Sequence, residues 1–334
     1  MKNKAWALMA LTMITATGCQ KSQESTPTAD EEILRLDQVA YDYADMDSAE
    51  RAEIRATLGG PLKAYMEVVN QDTAATADDV TLLAWSESTP VEMFVEATDT
   101  LYEDMSAYEK ELGAMLAKSS ELGLKIPRHT YAAVVWGRPE SMILNDSVML
   151  VALNHYLGAE HPAYEHWPEY MRQNKEPEAL AYDIAEAEIG LAYPYNAPAE
   201  KNTVLSRMLY EGALAYAKTQ VIKDAKAGLA LGFTDRQMAD LAENEAFMWK
   251  KLATGQMLYS TDAELHDRLF RPAPTTTAIS PQAPGRAVRY TGLRIVESYV
   301  KANPDATLPF LLSPEFYANP QSLAKAKYQM RNEK

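Results

Sequence analysis

The sequence predicts an α+β fold that is predominantly helical and contains one small β-meander. Three features of the chain support this fold class. Apolar residues recur at helical spacing over 31–124, short apolar runs broken by turn residues fill 125–155, and amphipathic helices dominate 156–334. The chain has 334 residues and is 47% hydrophobic, so it can bury a large core. We therefore predict one folded domain over 31–334.

The first part of this domain, 31–124, is predicted to be helical throughout. Two sets of apolar residues repeat every three or four positions: Ile33, Leu36, Val39, Ala40 and Tyr43, then Ile54, Leu58, Leu62, Tyr65, Met66 and Val69. The Gly-Gly-Pro sequence at 59–61 interrupts the second helix, because glycine and proline both disfavour a helix interior. A further helix starts after Pro90, and the last one covers 101–124.

The meander is predicted from three short apolar runs separated by turn residues: 131–136, 141–144 and 148–153. Beyond it we expect polar and aromatic loops to about residue 198, followed by three helices at roughly 200–224, 235–254 and 287–302. The second of these should open with a capping box formed by Thr234 and Gln237. A long loop rich in proline and threonine, 271–285, precedes the last helix, and loops of this length are often functional.

The first 18 residues, 1–18, have the order of a secretory signal peptide. Two lysines, an apolar run and then small residues lead directly to Cys19. This pattern predicts cleavage before Cys19 and attachment of lipid to its thiol; an ordinary signal peptide followed by an incidental cysteine is the alternative. The apolar run is shorter than the roughly 20 residues that a transmembrane helix needs. Residues 19–30 are polar and contain proline, so we predict a flexible tether.

The charge of the chain and its predicted anchor limit the partners. Removal of Lys2 and Lys4 with the signal peptide changes the net charge from −15 to −17, which disfavours binding to nucleic acid. We expect the lipid on Cys19 to hold the chain at a membrane, with protein partners in the cell envelope. Gln20 is not the aspartate that marks retention in the inner membrane, so the outer membrane is the expected location. Which membrane face carries the domain stays open.

Two glutamates lie on predicted helix faces that point towards the core. Glu245 falls in the middle of an apolar stripe formed by Met238, Leu241, Met248, Trp249 and Leu252. Glu211 lies at the margin of the inward arc of the preceding helix. A buried glutamate needs a partner, and an arginine is the simplest one. Glu245 should therefore pair with an arginine such as Arg286, Arg289 or Arg294, with a hydrogen-bond network, a raised pKa or a metal as the alternatives.

The two glutamates have about the spacing found in zinc peptidases of the Glu-containing class. In that class one helix carries His-Glu-x-x-His, and a downstream helix supplies a third ligand, often within Asn-Glu, which corresponds here to Asn244 and Glu245. The positions of the two histidines are occupied by Tyr210 and Leu214, and leucine cannot bind zinc. No metal and no other cofactor is therefore expected.

The histidines elsewhere in the chain form no standard zinc signature. Three of them cluster over 155–166, but Leu157 and Pro162 occupy the positions that an inverted zinc motif requires as histidine. No phosphate-binding glycine loop, serine elbow or cysteine nucleophile is present in the sequence. The candidates for an additional pocket are His155, His161, Arg286 and Arg289. Enzymatic activity stays open, and a noncatalytic role is the preferred interpretation.

A series of short segments follows a characteristic order along the chain. They are Tyr156-Leu-Gly158, His161-Pro162 with Tyr164, Pro168-x-Tyr170, Glu176-Pro177, Met208-Leu-Tyr-Glu-Gly212, Asn244-Glu245 with Trp249, Leu258-Tyr-Ser-Thr261, Pro272-Ala-Pro274, Pro284-Gly-Arg286 and Gly292-x-x-Ile295-Val296. Together they make the chain resemble the gliding-motility lipoprotein GldB family of Bacteroidota. The resemblance covers most of the chain after the predicted signal peptide and is firmest after about residue 150.

This resemblance implies a membrane lipoprotein that takes part in gliding or in the secretion machinery that gliding shares. The family is similar to a group of predicted zinc proteases that keep both histidines. That similarity implies a zincin-like, gluzincin-type architecture whose degenerate site contains Tyr210, Glu211, Asn244 and Glu245. Our leading hypothesis is a noncatalytic scaffold that binds an envelope partner. The alternatives are a metal-dependent hydrolase with other ligands and a lipoprotein that binds a glycan or small molecule through the aromatic-rich segment 156–195.

Overall fold

The structure is a computed structural model that describes residues 31–330 of the chain. The predicted signal peptide, the lipid-bearing Cys19 and the tether over 19–30 lie outside the described residues. The structure is 58% helical and contains a small four-stranded sheet, so the predicted class, α+β and predominantly helical, is confirmed. Within 31–330, no helix combines the length and the apolar character needed to cross a membrane.

The sheet has the strand order β1-β2-β4-β3, where the strands are β1 (Ile33–Arg35), β2 (Thr130–Val134), β3 (Met142–Asn145) and β4 (Val148–Ala152). β2 pairs in parallel with both β1 and β4, whereas β3 pairs with β4 antiparallel. The predicted meander is therefore wrong in its topology, because only β3 and β4 form a hairpin. The helical pattern predicted from residue 33 onwards is also wrong over 33–35, which form a strand.

Burial accounts for the strand order. All five residues of β4 are buried, and so are four of the five residues of β2. Strands that are covered on both faces occupy the middle of a sheet, and parallel pairs are typical there. The four residues of β3 are only partly buried, which suits an edge strand. Strand neighbours depend on contacts between residues far apart in the chain, so the order of the apolar runs alone could not give this topology.

Helices cover both faces of the sheet. Ala132 and Leu150 face the first helical layer, and the alternate residues Tyr131 and Met149 face the second. The first layer consists of α1 (Leu36–Asp42), α2 (Ser48–Asn70), α3 (Asp79–Ser86) and α4 (Thr89–Leu101). The second layer is larger and consists of α5 (Ser106–Glu121), α6 (Glu169–Arg172), α7 (Ala179–Ala192), α8 (Val204–Val221), α9 (Ala227–Leu231), α10 (Asp235–Glu243), α11 (Glu245–Thr254), α12 (Ala263–Phe270), α13 (Val288–Ala302), α14 (Leu308–Leu311), α15 (Pro314–Tyr317) and α16 (Ser322–Ala326).

The Gly-Gly-Pro sequence at 59–61 kinks α2 but does not end it. Leu58 has non-helical backbone angles (φ −108°, ψ 18°), and helical structure continues on both sides of it. Pro61 lacks an N–H group and its ring crowds the carbonyl one turn earlier, which places the kink just before the proline. The sequence predicted an interruption at this place, and the structure shows a bend within one continuous element.

Two further helices differ from the sequence prediction. α7 lies within 156–198, where only loops were predicted, so that part of the prediction is wrong. The helix predicted over 235–254 is divided in two by Asn244, whose backbone angles are φ −95° and ψ 10°. The predicted capping box is confirmed, because Thr234 and Gln237 exchange hydrogen bonds of 3.2 and 3.0 Å at the start of α10.

α8 and α13 cross at two glycines. A Cβ atom on Gly212 would lie 2.2 Å from the carbonyl carbon of Gly292, and one on Gly292 would lie 2.1 Å from the carbonyl oxygen of Met208. Neither position has room for a side chain, so the two helix backbones are in direct contact. This close approach brings together Glu211, the neighbour of Gly212 on α8, and Arg289, which lies one turn before Gly292 on α13.

Candidate functional site

A network of buried charges lies where α7, α8 and α13 meet. At its centre is Arg289 of α13, which is only 2% exposed. Its guanidinium lies 3.2 Å from the carboxylate of Glu186 on α7 and 3.2 Å from that of Glu211 on α8. It also donates a hydrogen bond of 3.2 Å to the carbonyl of Leu231. Two carboxylates thus balance a cation that would be costly to bury alone.

Glu211 is enclosed by two arginines. Its Oε1 lies 2.7 Å from Arg207, one turn earlier on α8, and its Oε2 lies 3.2 Å from Arg289. The residue is 5% exposed. The Arg207 guanidinium also lies over the ring of Tyr195, 4.8 Å from its centroid. Both oxygens of the Glu211 carboxylate are therefore engaged by cations.

Glu186 and Lys218 form a second pair in the network. Lys218 of α8 is 1% exposed and makes a short ion pair with Glu186. Burial raises the pKa of the Glu186 carboxyl, but Arg289 and Lys218 outweigh burial and hold that pKa well below its usual range. Burial lowers the pKa of Lys218 by more than the attraction of Glu186 raises it. The Glu186 side chain is 32% exposed, so the network reaches solvent at this residue.

The network continues along α7 towards the loop that precedes it. Asp183 accepts a hydrogen bond of 2.8 Å from the hydroxyl of Tyr156, and burial raises the pKa of its carboxyl. Burial lowers the pKa of Lys175 to about 8, and its ammonium group donates to Nδ1 of His155. Nε2 of His155 donates to the carbonyl of Arg138 at 3.0 Å. Burial lowers the pKa of His155 to about 3, so a neutral ring uses both of its nitrogens within the protein.

The loop 271–285 leads directly into Arg286 and fixes the backbone of that residue. The N–H of Gly285 donates to the carbonyl of Pro274 at 3.3 Å, which closes the loop on itself. A Cβ atom on Gly285 would lie 1.8 Å from the carbonyl oxygen of Ala273, so only glycine fits there. Arg286 follows with a φ of 61°, in the left-handed region that is unfavourable for residues other than glycine.

The side chain of Arg286 has no close partner. Within residues 31–330 it makes no hydrogen bond and no ion pair shorter than 4 Å, and its Nε is shielded from solvent without an acceptor. Repulsion by Arg289 and burial lower the pKa of Arg286 to about 10. The fold therefore holds a second arginine beside Arg289 without giving it a carboxylate of its own.

A polar cavity of about 80 Å³ lies within this network. Its charged lining residues come from α7, α8 and the start of α13: Asp183, Glu186, Lys218, Arg286 and Arg289. Asn174 contributes an amide from the loop before α7. Three of the five charged side chains are cations, so the lining has one surplus positive charge. Such a cavity can accommodate water or a small anionic group.

Glu245 belongs to a separate network. It is fully buried and accepts hydrogen bonds from the hydroxyls of Tyr290 at 2.9 Å and Tyr328 at 2.8 Å. Nε of Arg294 lies 3.5 Å from the same carboxylate, so the predicted arginine partner is confirmed and is Arg294. Among the described residues, Glu245 shares no ion-pair partner with Glu211. The contacts of Glu245 join α11, α13 and the C-terminal segment.

Tyr210 and Leu214 are packed into the core. Tyr210 is 5% exposed, its hydroxyl donates to the carbonyl of Tyr193 at 3.0 Å, and its ring packs against Tyr195 and Tyr317. Leu214 is also 5% exposed. Neither side chain contacts the cavity. Across 31–330, no group of three or more His, Cys, Asp or Glu side chains is arranged to hold a metal ion.

Two other predicted site residues lie away from the cavity. Asn244 is exposed, and its amide donates back to the carbonyl of Asp240 at 2.8 Å. Nδ1 of His161 accepts a hydrogen bond of 3.2 Å from the backbone of Ala163. His155 joins the edge of the network only through Lys175. Of the residues predicted from the sequence, Arg286 and Arg289 line the cavity, and Glu211 joins them through its ion pair with Arg289.

The sequence argument missed three of the five charged residues that line the cavity, Asp183, Glu186 and Lys218. It also missed Arg207 and Lys175, which pair with Glu211 and His155. Lys218 follows Leu214 by four positions and precedes Val221 by three, so it lies on the same inward arc of α8. The reasoning that identified Glu245 would have found it. Asp183 and Glu186 were missed because α7 itself was not predicted.

The fold and the site together define a mostly helical α+β domain in which buried ion pairs surround a small polar cavity. The family model for gliding motility protein GldB, named GldB_lipo, matches residues 19–330. The chain therefore belongs to the GldB family of gliding motility proteins, whose model name marks it as a lipoprotein family, and the resemblance found in the sequence is confirmed. No curated protein and no solved structure matches the chain.

Proposed function

We propose that this chain is a noncatalytic lipoprotein of the cell envelope that acts in gliding motility by binding a partner protein. Its membership of the GldB family supports the association with gliding. The noncatalytic role rests on one observation, the state of Glu211. A peptidase glutamate that activates water needs a free carboxylate oxygen near the metal. Both oxygens of Glu211 are held by Arg207 and Arg289.

The surroundings of Glu211 support the same proposal. Tyr210 and Leu214 stand at the positions that carry the two histidines in a His-Glu-x-x-His zinc protease motif, and both are packed into the core. We also propose that the domain shares a zincin-like architecture. Support for this comes from Glu211 on α8, from Asn244-Glu245 at the start of the later helix α11, and from a mixed sheet with one antiparallel edge strand.

We further propose that Cys19 carries the lipid and that the outer membrane holds the chain. Support comes from the signal-peptide pattern before Cys19 and from the residue after it, Gln20. Membrane fractionation of native cells tests both points. Cys19→Ser should release the chain from the membrane fractions, and Gln20→Asp should move it from the outer to the inner membrane. An unchanged distribution of the Gln20→Asp chain would contradict the assignment to the outer membrane.

Elemental analysis of the full mature chain tests the noncatalytic role. The protein is purified in detergent without a metal-affinity tag and dialysed against zinc. We expect no stoichiometric zinc in a folded sample. One zinc per chain would contradict the proposal and would direct attention to ligands outside the positions of Tyr210 and Leu214.

Replacement of Glu211 by Gln in the native gene gives a second test. In a scaffold, any effect on cell function should follow the amount of folded protein in the envelope. In an enzyme that uses Glu211 as a base, function should be lost while the amount of folded protein is retained. Glu264→Gln on α12 is the matched control, because Glu264 is exposed. Crosslinking in the same cells should capture a partner with the wild type and the control variant alike.

A further inference from the structure

Three features of Arg286 are energetically unfavourable, and no contact among the described residues compensates for them. Its backbone is left-handed at φ 61°. Its side chain lies next to the like-charged Arg289, which lowers its pKa to about 10. Within the described residues it makes no hydrogen bond and no ion pair shorter than 4 Å. Strained or repelled groups that a fold retains are concentrated at functional sites.

The charges that line the cavity around Arg286 sum to one surplus positive charge, which one negative group would balance. The cavity is lined by three cations, Lys218, Arg286 and Arg289, and by two acids, Asp183 and Glu186. Glu211 lies next to this lining, but Arg207 balances its charge at 2.7 Å. The two acids are already engaged, Glu186 by Lys218 and Arg289, and Asp183 by Tyr156. One positive charge, on Arg286, is left without a close counterpart.

The size and position of the cavity fit a small polar group. Its volume of about 80 Å³ is several times the roughly 10–15 Å³ that one water molecule requires, so the three heavy atoms of a carboxylate group have room there. The Glu186 side chain at its edge is 32% exposed, and Arg286 and Asn174 are partly exposed. A ligand can therefore reach the cavity from solvent.

We propose that this cavity binds one carboxylate group, with Arg286 as its main ion-pair partner. A planar guanidinium binds both carboxylates and phosphates well. The surplus of one positive charge matches a monoanion, and the nearby Asp183 and Glu186 repel a dianion such as phosphate. A free small acid and the C-terminus of a polypeptide both present a carboxylate group. The proposal goes beyond the proposed function and does not depend on it, since the cavity could bind either one.

Binding of defined probes to the full mature chain in detergent tests this proposal. The probes are sodium acetate, a tri-alanine peptide with a free C-terminus, the same peptide with an amidated C-terminus, and inorganic phosphate, each followed by NMR titration. Arg286→Gln is compared with Arg271→Gln, a control at the start of the loop that leads to Arg286; Arg271 is exposed and lies 3.4 Å from Asp267. Circular dichroism shows whether each variant is folded.

We expect at least one carboxylate probe to bind to the wild type and to Arg271→Gln with the same affinity, and at least tenfold more weakly to Arg286→Gln. Binding of the free peptide but not of the amidated one identifies a polypeptide C-terminus as the source. Binding of acetate alone identifies a small acid. Preference for phosphate, equal carboxylate binding by Arg286→Gln, or no binding to a folded wild type would overturn the proposal, the last showing a cavity that holds water only.

Discussion

Gly212 on α8 and Gly292 on α13 are in direct backbone contact, and this contact sets the position of the buried ion pairs. A Cβ atom on Gly212 would lie 2.2 Å from the carbonyl carbon of Gly292. Glu211 is the neighbour of Gly212, and Arg289 precedes Gly292 by one helical turn. Their charged groups lie 3.2 Å apart because the two helices approach this closely.

Gly212→Ala should therefore destabilise the domain and disturb the ion pairs together. The added methyl group forces α8 and α13 apart, and overpacking of this kind typically costs about 1–3 kcal/mol. Denaturant unfolding measures the loss. Gly190→Ala in α7 is the control, because a Cβ atom there would meet nothing within 4 Å. The control should gain about 0.5–1 kcal/mol, since alanine is the better helix former. Equal effects of the two substitutions would contradict the close crossing.

Arg286 and Arg289 are three positions apart and should respond in opposite ways to substitution by glutamine. Arg289→Gln leaves Glu186 and Glu211 without their shared partner, and loss of one side of a buried ion pair typically costs about 3–5 kcal/mol. Arg286→Gln removes a cation that Arg289 repels, so the free energy of unfolding should stay the same or rise. Thermal unfolding of both variants measures this difference. A large loss of stability in Arg286→Gln would show a structural partner for Arg286.

His155 should make stability depend on pH between about 6.5 and 3. The unfolded chain binds a proton at His155 near the ordinary pKa of 6.5, whereas burial lowers the pKa of the folded chain to about 3. The contribution of neutral His155 to the free energy of unfolding is fully present above pH 6.5. It is lost as the pH falls towards 3, because only the unfolded state gains the proton over this range. At 1.36 kcal/mol for each pKa unit, the upper limit is about 5 kcal/mol.

Two measurements check this behaviour of His155. NMR of the imidazole should show a neutral ring at pH 5 in the folded protein. His155→Asn should reduce the slope of unfolding free energy against pH between 6.5 and 3, whatever its effect on stability at neutral pH. A slope equal to that of the wild type would contradict the assignment, because another group would then carry the pH dependence.

Glu245 should contribute to folding stability and not to the binding of carboxylates in the cavity. Tyr328→Phe removes a hydrogen bond of 2.8 Å to its buried carboxylate, and bonds to charged groups are typically worth about 1.5–3 kcal/mol. Tyr259→Phe is the control, since Tyr259 is 61% exposed, and it should change little. Both variants should bind carboxylate probes like the wild type. Weaker probe binding by folded Tyr328→Phe would show that the two networks are coupled.

Local sequence patterns predicted several elements of the fold correctly. The capping box of Thr234 and Gln237 depends on residues three positions apart, and it is present at the start of α10. The inward position of Glu245 follows from helical periodicity, and its arginine partner followed from the cost of burying a charge. The same reasoning placed Glu211 at the margin of the core but did not identify its two partners, Arg207 and Arg289.

The two errors in the sheet share one physical cause. β1 has only three residues and becomes a strand because β2 lies beside it, with Ile33 opposite Tyr131 almost a hundred positions later. The parallel pairing of β2 with β4 depends on burial from both helical layers. Neither contact leaves a periodic signal in the local sequence.

The sequence by itself determined the helical class, the pattern that predicts a lipid on Cys19, the family and the need of two inward glutamates for cationic partners. Only the tertiary structure decided that Glu211 pairs with Arg289, that Glu245 belongs to a different network, and that Arg286 faces a cavity without a partner. Local sequence patterns indicate which residues are buried. The packing of helices that are distant in the chain decides which buried residues contact each other, and here α8 and α13 contact each other at two glycines.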